Sequence, residues 1–356
     1  MIIRNYHLTQ SHDWSLLIGK GALGVLPRHI SFRDYSSIVI ATDDNVAPCW
    51  LSMVIKSFGK SGSVLPIIIP HGERSKCMQT VESILASLQS VGMGRDGLLI
   101  ALGGGVVGDV TGFAASIYKR GIDYIQIPTS LIALTDSAIG GKTGIDFVES
   151  KNSVGTFYQP RLVVCDPMFL KTLPRRELVN GMAEVIKYGL ITDEKFLGLL
   201  TSHTLDDMPW ERVIDFCATY KADIVARDER DTLGLRALVN FGHTVGHAIE
   251  ALSRYRVPHG HGVAIGMMVA ARMSSQVLGL SEFEREKIEF VLHQFGLPTR
   301  LPKGMNVNAI IQKLGTDKKA RAGKVKWVLL KKIGKAVPGI EVPGKVVKKA
   351  LECLYD

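Results

Sequence analysis

The chain has 356 residues, 46% of them hydrophobic and 22% charged, with a formal net charge of +9. This balance excludes disordered and fibrous classes, and no run of about 18 uninterrupted apolar residues marks a membrane span. Length predicts two domains, the opening "MIIRNYHLTQSHDW" lacks the basic-then-apolar pattern of a secretion signal, and a cytoplasmic location is expected.

The first half alternates strand-like and helix-like blocks. "SSIVIATDD" is a β-branched run ending in polar residues, "CWLSMVIKSFG" has helical spacing, and "SVLPIIIPHGERSK" runs from a strand into a charged loop. "MQTVESILASLQSVG" is helical, "GLLIALGGG" is a strand entering a glycine loop, and "DYIQIPTS" is a further strand. That order implies a parallel sheet covered by helices, with ligands at the carboxyl ends of the strands. After about residue 170 the texture changes. "RRELVNGMAEVIKYGLI", "WERVIDFCATYKADIVARDE", "ALVNFGHTVGHAIEAL" and "GVAIGMMVAARMSSQVLGL" all have helical spacing with few strands between them. The expected fold is an α/β nucleotide-binding domain with a mainly parallel sheet over residues 1–170. An α-helical metal-binding domain follows over 171–356. The five cysteines are scattered without a CxxC, which argues against a disulfide framework or a thiolate zinc site and reads as free buried thiols.

The positive charge fits anionic partners, either nucleic acid or small molecules. It is not gathered into an aromatic-interleaved patch, and the run "TDKKARAGKVKWVLLKKIGKAVPG" reads as a solvated lysine face. The loop "GGGVVGD" places Gly103, Gly105 and Gly108 in a G-x-G-x-x-G pattern, with Gly104 inside it and Asp109 after it. It follows a strand and opens a helix, the context in which backbone N–H groups approach a pyrophosphate. A second glycine-bearing stretch, "DSAIGGKTGIDFVESKNSVGTF", carries Lys142, Lys151 and Asn152 around flexible backbone and suits a phosphate.

His243 and His247 in "NFGHTVGHAIE" are one helical turn apart and share a face. The spacing leaves three roles open: two ligands, a ligand and a catalyst, or two structural residues. Glu184 and Lys187 lie a turn apart in "GMAEVIKYG", and His259 and His261 stand just before a further helix. Four of the ten histidines fall within 19 residues. A glutamate and two histidines with one open position is the donor set of a catalytic zinc.

Together these segments resemble the 3-dehydroquinate synthase family of sugar phosphate cyclases. The resemblance runs in order from about residue 40 to 335 through "GGGVVGDVTGFAAS", "RGIDYIQIPTSLIALTDSAIGGKTGID", "KNSVGTFYQP", "TLPRREL", "GMAEVIKYGLI", "NFGHTVGHAIEA", "HGHGVAIGM" and "DKKARAG". It implies conversion of 3-deoxy-D-arabino-heptulosonate 7-phosphate to 3-dehydroquinate and phosphate. The implied course is transient oxidation by NAD, phosphate elimination, reduction and aldol closure, with Zn²⁺ or Co²⁺ polarising the oxidised hydroxyl.

The resemblance assigns Glu184, His243 and His259 as metal ligands and makes His247 an acid/base group. It places Lys142, Asn152, a lysine of "DKK" (Lys318 or Lys319) and Arg120 at the substrate phosphate, with Arg120 supplied across a homodimer. Lys221 and Arg236 become carboxylate and hydroxyl contacts, and Asp136, Lys187 and Asn240 lie near the reacting carbons. For NAD it implies Asp43, Glu73, Lys76, the glycine loop with Asp109, Thr129, Ser130, Lys142, Lys151, Phe169 and Thr172. The implied partner is a phosphorylated sugar acid, with neither nucleic acid nor membrane.

Four departures from the family pattern stand out. His261 replaces the acid of the usual "HGE", and Ser130 replaces the second threonine of "IPTT". "FVESKN" stands where a proline-glycine turn usually occurs, and the stretch before Arg236 is one residue longer. Another sugar phosphate cyclase (acting on sedoheptulose 7-phosphate, glucose 6-phosphate or an amino analogue), a metal-dependent polyol dehydrogenase and a non-catalytic nucleotide- or nucleic-acid-binding protein are the competing readings.

Overall fold

The structure is a computed structural model that describes all residues except 9–11, 60–63, 149, 316–324 and 356. In chain order its first part carries β1 (Ile2–Tyr6), β2 (Trp14–Ile18), α1 (Ala22–Val25), β3 (Ile38–Asp43), α2 (Ser52–Ser57), β4 (Val64–Ile69) and α3 (Met78–Ser90). Then come β5 (Leu98–Gly103), α4 (Gly105–Ile117), β6 (Asp123–Pro128), β7 (Lys142–Phe147), β8 (Ser150–Phe157) and β9 (Leu162–Cys165). Beyond these follow α5 (Arg175–Thr192), α6 (Glu194–Thr201), α7 (Trp210–Arg227), α8 (His243–Leu252), α9 (His259–Leu278) and α10 (Glu282–Gln294). The chain closes with α11 (Val307–Gly315), β10 (Lys326–Lys332), β11 (Lys335–Glu341) and α12 (Gly344–Glu352).

Two compact units result: residues 1–174 with 209–230, and residues 175–208 with 231–356. The first is built on a seven-stranded sheet in the order β1-β2-β9-β6-β5-β3-β4, parallel except for β1. β3 and β5 are buried along their whole length, as strands covered on both faces must be. Alternation along them sorts the core into two layers. Ile38, Ile40, Leu98, Ile100 and Leu102 pack with Trp50, Val54 and Phe58 on one face. Val39, Ala41, Leu99 and Ala101 pack with Ile84 and Leu88 of α3 and Val107 and Val110 of α4 on the other.

The chain runs from β3 outward to the edge strand β4, then returns to the opposite side of β3 to form β5. Strand order therefore reverses between β3 and β5, and the carboxyl ends of these two strands flank the crevice in which such sheets bind ligands.

The mainly parallel sheet and the helical second half match the expected fold class. The expected division at residue 170 and the observed one differ in α7, which joins the first unit. Its buried Val213, Ile214, Cys217 and Ala218 form an apolar stripe, and the helix packs on β1, β2 and the π-helical turn Ala133–Ser137. A boundary drawn from composition cannot register that a helix returns to an earlier sheet.

Three other expectations are corrected. The stretches that carry Lys142, Lys151 and Asn152 are not flexible loop but the antiparallel strands β7 and β8. His259 and His261 do not precede a helix; they form the first turn of α9, which begins directly after Pro258. The cysteines are all free, but only Cys165 and Cys217 are buried. In the second unit α8 and α9 pack against each other, and the antiparallel ribbon β10–β11 lies against α9 and α5. Among the described residues no helix is long and apolar enough to cross a membrane.

Candidate functional site

In the first unit the glycine loop occupies the reversal point. β5 ends at Gly103, and Gly104, with extended backbone, caps the start of α4. A Cβ on Gly108 would lie 2.5 Å from the side-chain Oε1 of Gln126 on β6, so α4 runs close to the sheet there and a larger residue would have to displace that amide. The Thr129 N–H donates to the Gly103 carbonyl (2.9 Å), and Ser130 Oγ accepts from the Ala133 N–H (3.3 Å). At the end of β3, Asp43 Oδ1 accepts from the Asn45 and Val46 N–H groups, each at 2.9 Å, and so shapes the turn. Thr172 Oγ1 accepts from Trp50 Nε1 (2.7 Å), and the buried Phe169 ring meets the Trp50 ring edge-on at 5.0 Å.

A charged cluster adjoins the loop. Lys76 donates to both Asp109 and Asn152, and Lys151 pairs with Glu73 at 3.0 Å. The Asn152 N–H donates to Asp146 Oδ1 (2.8 Å), while the Asp146 N–H donates to the Lys76 carbonyl (2.8 Å). Burial raises the carboxyls of Asp109 and Asp146 above their ordinary range, against the pull of Lys76. Sequence reading missed Asp146; an acid facing Asn152 across the hairpin is legible only once that pairing exists. Lys142, at the exposed start of β7, stands 6.0 Å from the Phe157 ring centre. Glycine backbone, a helix N-terminus and flanking lysines at a reversal point fit a dinucleotide's pyrophosphate.

Elsewhere in this unit, Lys221 on α7 donates to Asp136 in the turn Ala133–Ser137, a pairing that depends on α7 joining the sheet. Arg120 is exposed at the end of a turn in which Lys119 (φ 48°) and Arg120 (φ 70°) are both left-handed. Such backbone costs about 1–3 kcal/mol per residue and persists only where surroundings impose it.

The second unit assembles the histidines. Asn180 and Glu184, one turn apart on α5, both reach the start of α9. Asn180 Oδ1 accepts from the Gly260 N–H at 2.6 Å, and Glu184 Oε1 lies 3.0 Å from His259 Nε2. The same carboxylate oxygen lies 3.2 Å from His243 Nε2 at the start of α8. Lys187 donates to the other oxygen, Oε2. Helices α8 and α9 meet backbone to backbone: a Cβ on Gly266 would lie 1.9 Å from the Gly242 carbonyl oxygen. That close crossing brings the two histidines together, with ring centres 5.4 Å apart.

Ligand atoms of Glu184, His243 and His259 all lie within 4.8 Å of one another. Tetrahedral zinc with ligands at about 2.0–2.1 Å separates them by about 3.3 Å, close to the 3.0 and 3.2 Å from Glu184 Oε1 to the two rings, so the residues fit a divalent cation. Burial opposes charge on Glu184, but Lys187, His243 and His259 overcome it and hold the carboxyl well below its ordinary range. Burial keeps the His243 ring neutral, as a ligand requires. Burial also opposes a charged His259, yet hydrogen bonds to Glu184 and Glu250 push it up to about 10 in the metal-free protein.

The His247 ring lies 5.3 Å from that of His243. His261 belongs to neither group of clustered metal-binding side chains among the described residues. Two residues past His259 it points about 200° around α9, away from the side that His259 turns to Glu184. Arg236 is buried in the short helix Leu235–Asn240, and Asn240 Nδ2 donates to its carbonyl at 3.5 Å. Lys318 and Lys319 lie outside the described residues. Asn180 and Glu250 were not singled out from the sequence; Glu250 falls two turns after His243, a spacing that marks a shared face but not a function.

One unit with a parallel sheet and a glycine loop at its reversal point, and another, helical, with a Glu–His–His cluster, define an enzyme class that combines a nucleotide with a divalent cation. Residues 66–180 match the model of the 3-dehydroquinate synthase N-terminal domain, and residues 181–320 match that of the C-terminal domain. The 3-dehydroquinate synthase of Acidithiobacillus ferrooxidans is 44% identical over 90% of this chain and 89% of its own length. That of Shewanella loihica is 42% identical over 96% and 95%. The solved structure of a 2-epi-5-epi-valiolone synthase from Streptomyces hygroscopicus, with NAD⁺ and Zn²⁺ bound, superposes with a TM-score of 0.88 at 28% identity, covering 99% of both chains. The chain belongs to the 3-dehydroquinate synthase family.

Proposed function

We propose that the chain converts 3-deoxy-D-arabino-heptulosonate 7-phosphate to 3-dehydroquinate and phosphate. NAD is held on the glycine-loop side of the first unit, and Zn²⁺ or Co²⁺ on Glu184, His243 and His259. The observation that carries this reading is the convergence of one carboxylate oxygen and two imidazole nitrogens at ligand spacing, 3.0 and 3.2 Å. When bound, the nucleotide supplies a reversible redox partner and the cation a Lewis acid.

The chain's own residues have separable tasks in this scheme. Lys187 holds Oε2 of Glu184 and so keeps Oε1 turned toward the two rings. His247, one turn past a ligand, moves protons. Asp136, Lys221, Arg236 and Asn240 orient the carboxylate and hydroxyls of the substrate. Lys142, Asn152, Arg120 and a lysine of Lys318–Lys319 hold its phosphate by charge-assisted hydrogen bonds. Asp43, Glu73, Lys76, the glycine loop with Asp109, Thr129, Ser130, Lys142, Lys151, Phe169 and Thr172 form the nucleotide side. Arg120, exposed on a strained turn, acts in the neighbouring subunit of a homodimer.

The test is phosphate release from 3-deoxy-D-arabino-heptulosonate 7-phosphate, with and without NAD⁺ and Zn²⁺, while NADH absorbance is followed. Release that needs both, with no lasting NADH signal, is the expected result. Release only from sedoheptulose 7-phosphate would replace the reading with another cyclase of the same family. Steady NADH accumulation would replace it with a polyol dehydrogenase.

A further inference from the structure

His259 is gripped at both ring nitrogens. Nε2 faces Glu184 Oε1 at 3.0 Å, and Nδ1 lies 2.5 Å from Oε1 of Glu250, a carboxylate only 2% exposed. Glu250 is on α8, seven residues after His243, so one helix face carries a candidate ligand and the carboxylate that holds the other histidine. Asn180 fixes the backbone of the same α9 turn through the Gly260 N–H.

Resting on the metal site proposed above, we infer that Glu250 is a positioning residue. It accepts the Nδ1–H proton of His259, fixes the tautomer with Nε2 free for the cation, and raises the basicity of that nitrogen. His247, Glu250 and His259 also form a cluster of possible ligands, so a cation bound there is the competing arrangement. Distance separates the two. Atoms bound to one zinc at about 2.0–2.1 Å stand about 3.3 Å apart in tetrahedral geometry and about 2.9 Å apart at right angles. The Nδ1–Oε1 separation of 2.5 Å is too short for these two atoms to share an ion and suits a charge-assisted hydrogen bond. The spacings of 3.0 and 3.2 Å around Glu184 Oε1 suit shared ligation.

The experiment is a Co²⁺ titration of the metal-stripped full-length protein against a competing chelator, reading the visible absorption of bound Co²⁺. Wild type, Glu184→Gln, Glu250→Gln and His247→Gln are compared, and the unfolding midpoint of each metal-free form is measured alongside. Glu250→Gln is expected to bind about 10–100-fold more weakly, with an unchanged absorption spectrum at saturation. His247→Gln should keep wild-type affinity. Wild-type affinity in Glu250→Gln would overturn the inference while leaving the metal site standing. A changed spectrum in Glu250→Gln, together with weakened binding in His247→Gln, would make Glu250 a ligand and overturn it differently. Failure of the wild type to bind, or undiminished binding by Glu184→Gln, would instead overturn the metal reading itself. Should Glu250→Gln not fold, Glu250→Asp carries the test. It keeps the charge but shortens the reach, and the same loss of affinity with an unchanged spectrum is expected.

Discussion

Replacing Gly266 by alanine would put a methyl carbon 1.9 Å from the Gly242 carbonyl oxygen and 3.0 Å from the Gly246 nitrogen. Both obstacles are backbone, so no rotamer change relieves them. Ordinary contact begins near 3.4 Å, and α8 and α9 would therefore have to part by about 1.5 Å. Metal-ligand distances tolerate only about 0.2 Å. His243 follows Gly242 directly and His259 opens α9, so the separation acts on the site as well as on stability. Overpacking of this kind costs about 1–3 kcal/mol, and a unit of this size loses about 2–4 °C per kcal/mol.

Gly266→Ala is thus expected to lower the unfolding midpoint of the metal-free protein by several degrees. Zn²⁺ affinity, measured by chelator competition, should fall by more than about tenfold. Gly198, in the middle of α6 with nothing within 4 Å of its would-be Cβ, is the control. Gly198→Ala should stabilise by about 0.5–1 kcal/mol, because alanine loses less backbone entropy in a helix. An unfolding midpoint for Gly266→Ala within about 1 °C of wild type, together with undiminished Zn²⁺ affinity, would refute the argument that this crossing sets the site.

His259 in the metal-free protein is raised to about 10. Its protonated form therefore contributes stability that is complete below its unfolded value near 6.5 and is lost as pH rises through the folded value. The difference in unfolding midpoint between wild type and His259→Gln, measured in EDTA, should shrink from pH 7 to pH 10; a constant difference counts against the raised value. His243→Ala is expected to lower Zn²⁺ affinity at least about 100-fold with NAD⁺ binding kept, and full zinc retention would remove His243 from the ligand set. His247→Ala should keep zinc and slow turnover, and an unchanged rate would make it structural. If Arg120 acts across a twofold dimer, mixing inactive Arg120→Ala and Lys142→Ala chains should restore about a quarter of wild-type activity. No recovery after demonstrated subunit exchange would contradict that arrangement.

What the sequence determined by itself is whatever depends on neighbours along the chain. One face for His243 and His247, one turn between Glu184 and Lys187, and a glycine loop between strand and helix all follow from the geometry of a single element. Tertiary structure decided what depends on elements distant in sequence. The packing of α7 on the sheet pairs Lys221 with Asp136, and the β7–β8 register sets Asn152 against Asp146. The glycine crossing of α8 and α9 brings His243 and His259 to the same Glu184 oxygen and places Glu250 behind His259. Helical periodicity records which residues share a face. Which face meets which is set by the close packing of buried side chains and, at Gly242 and Gly266, by the absence of any side chain at all.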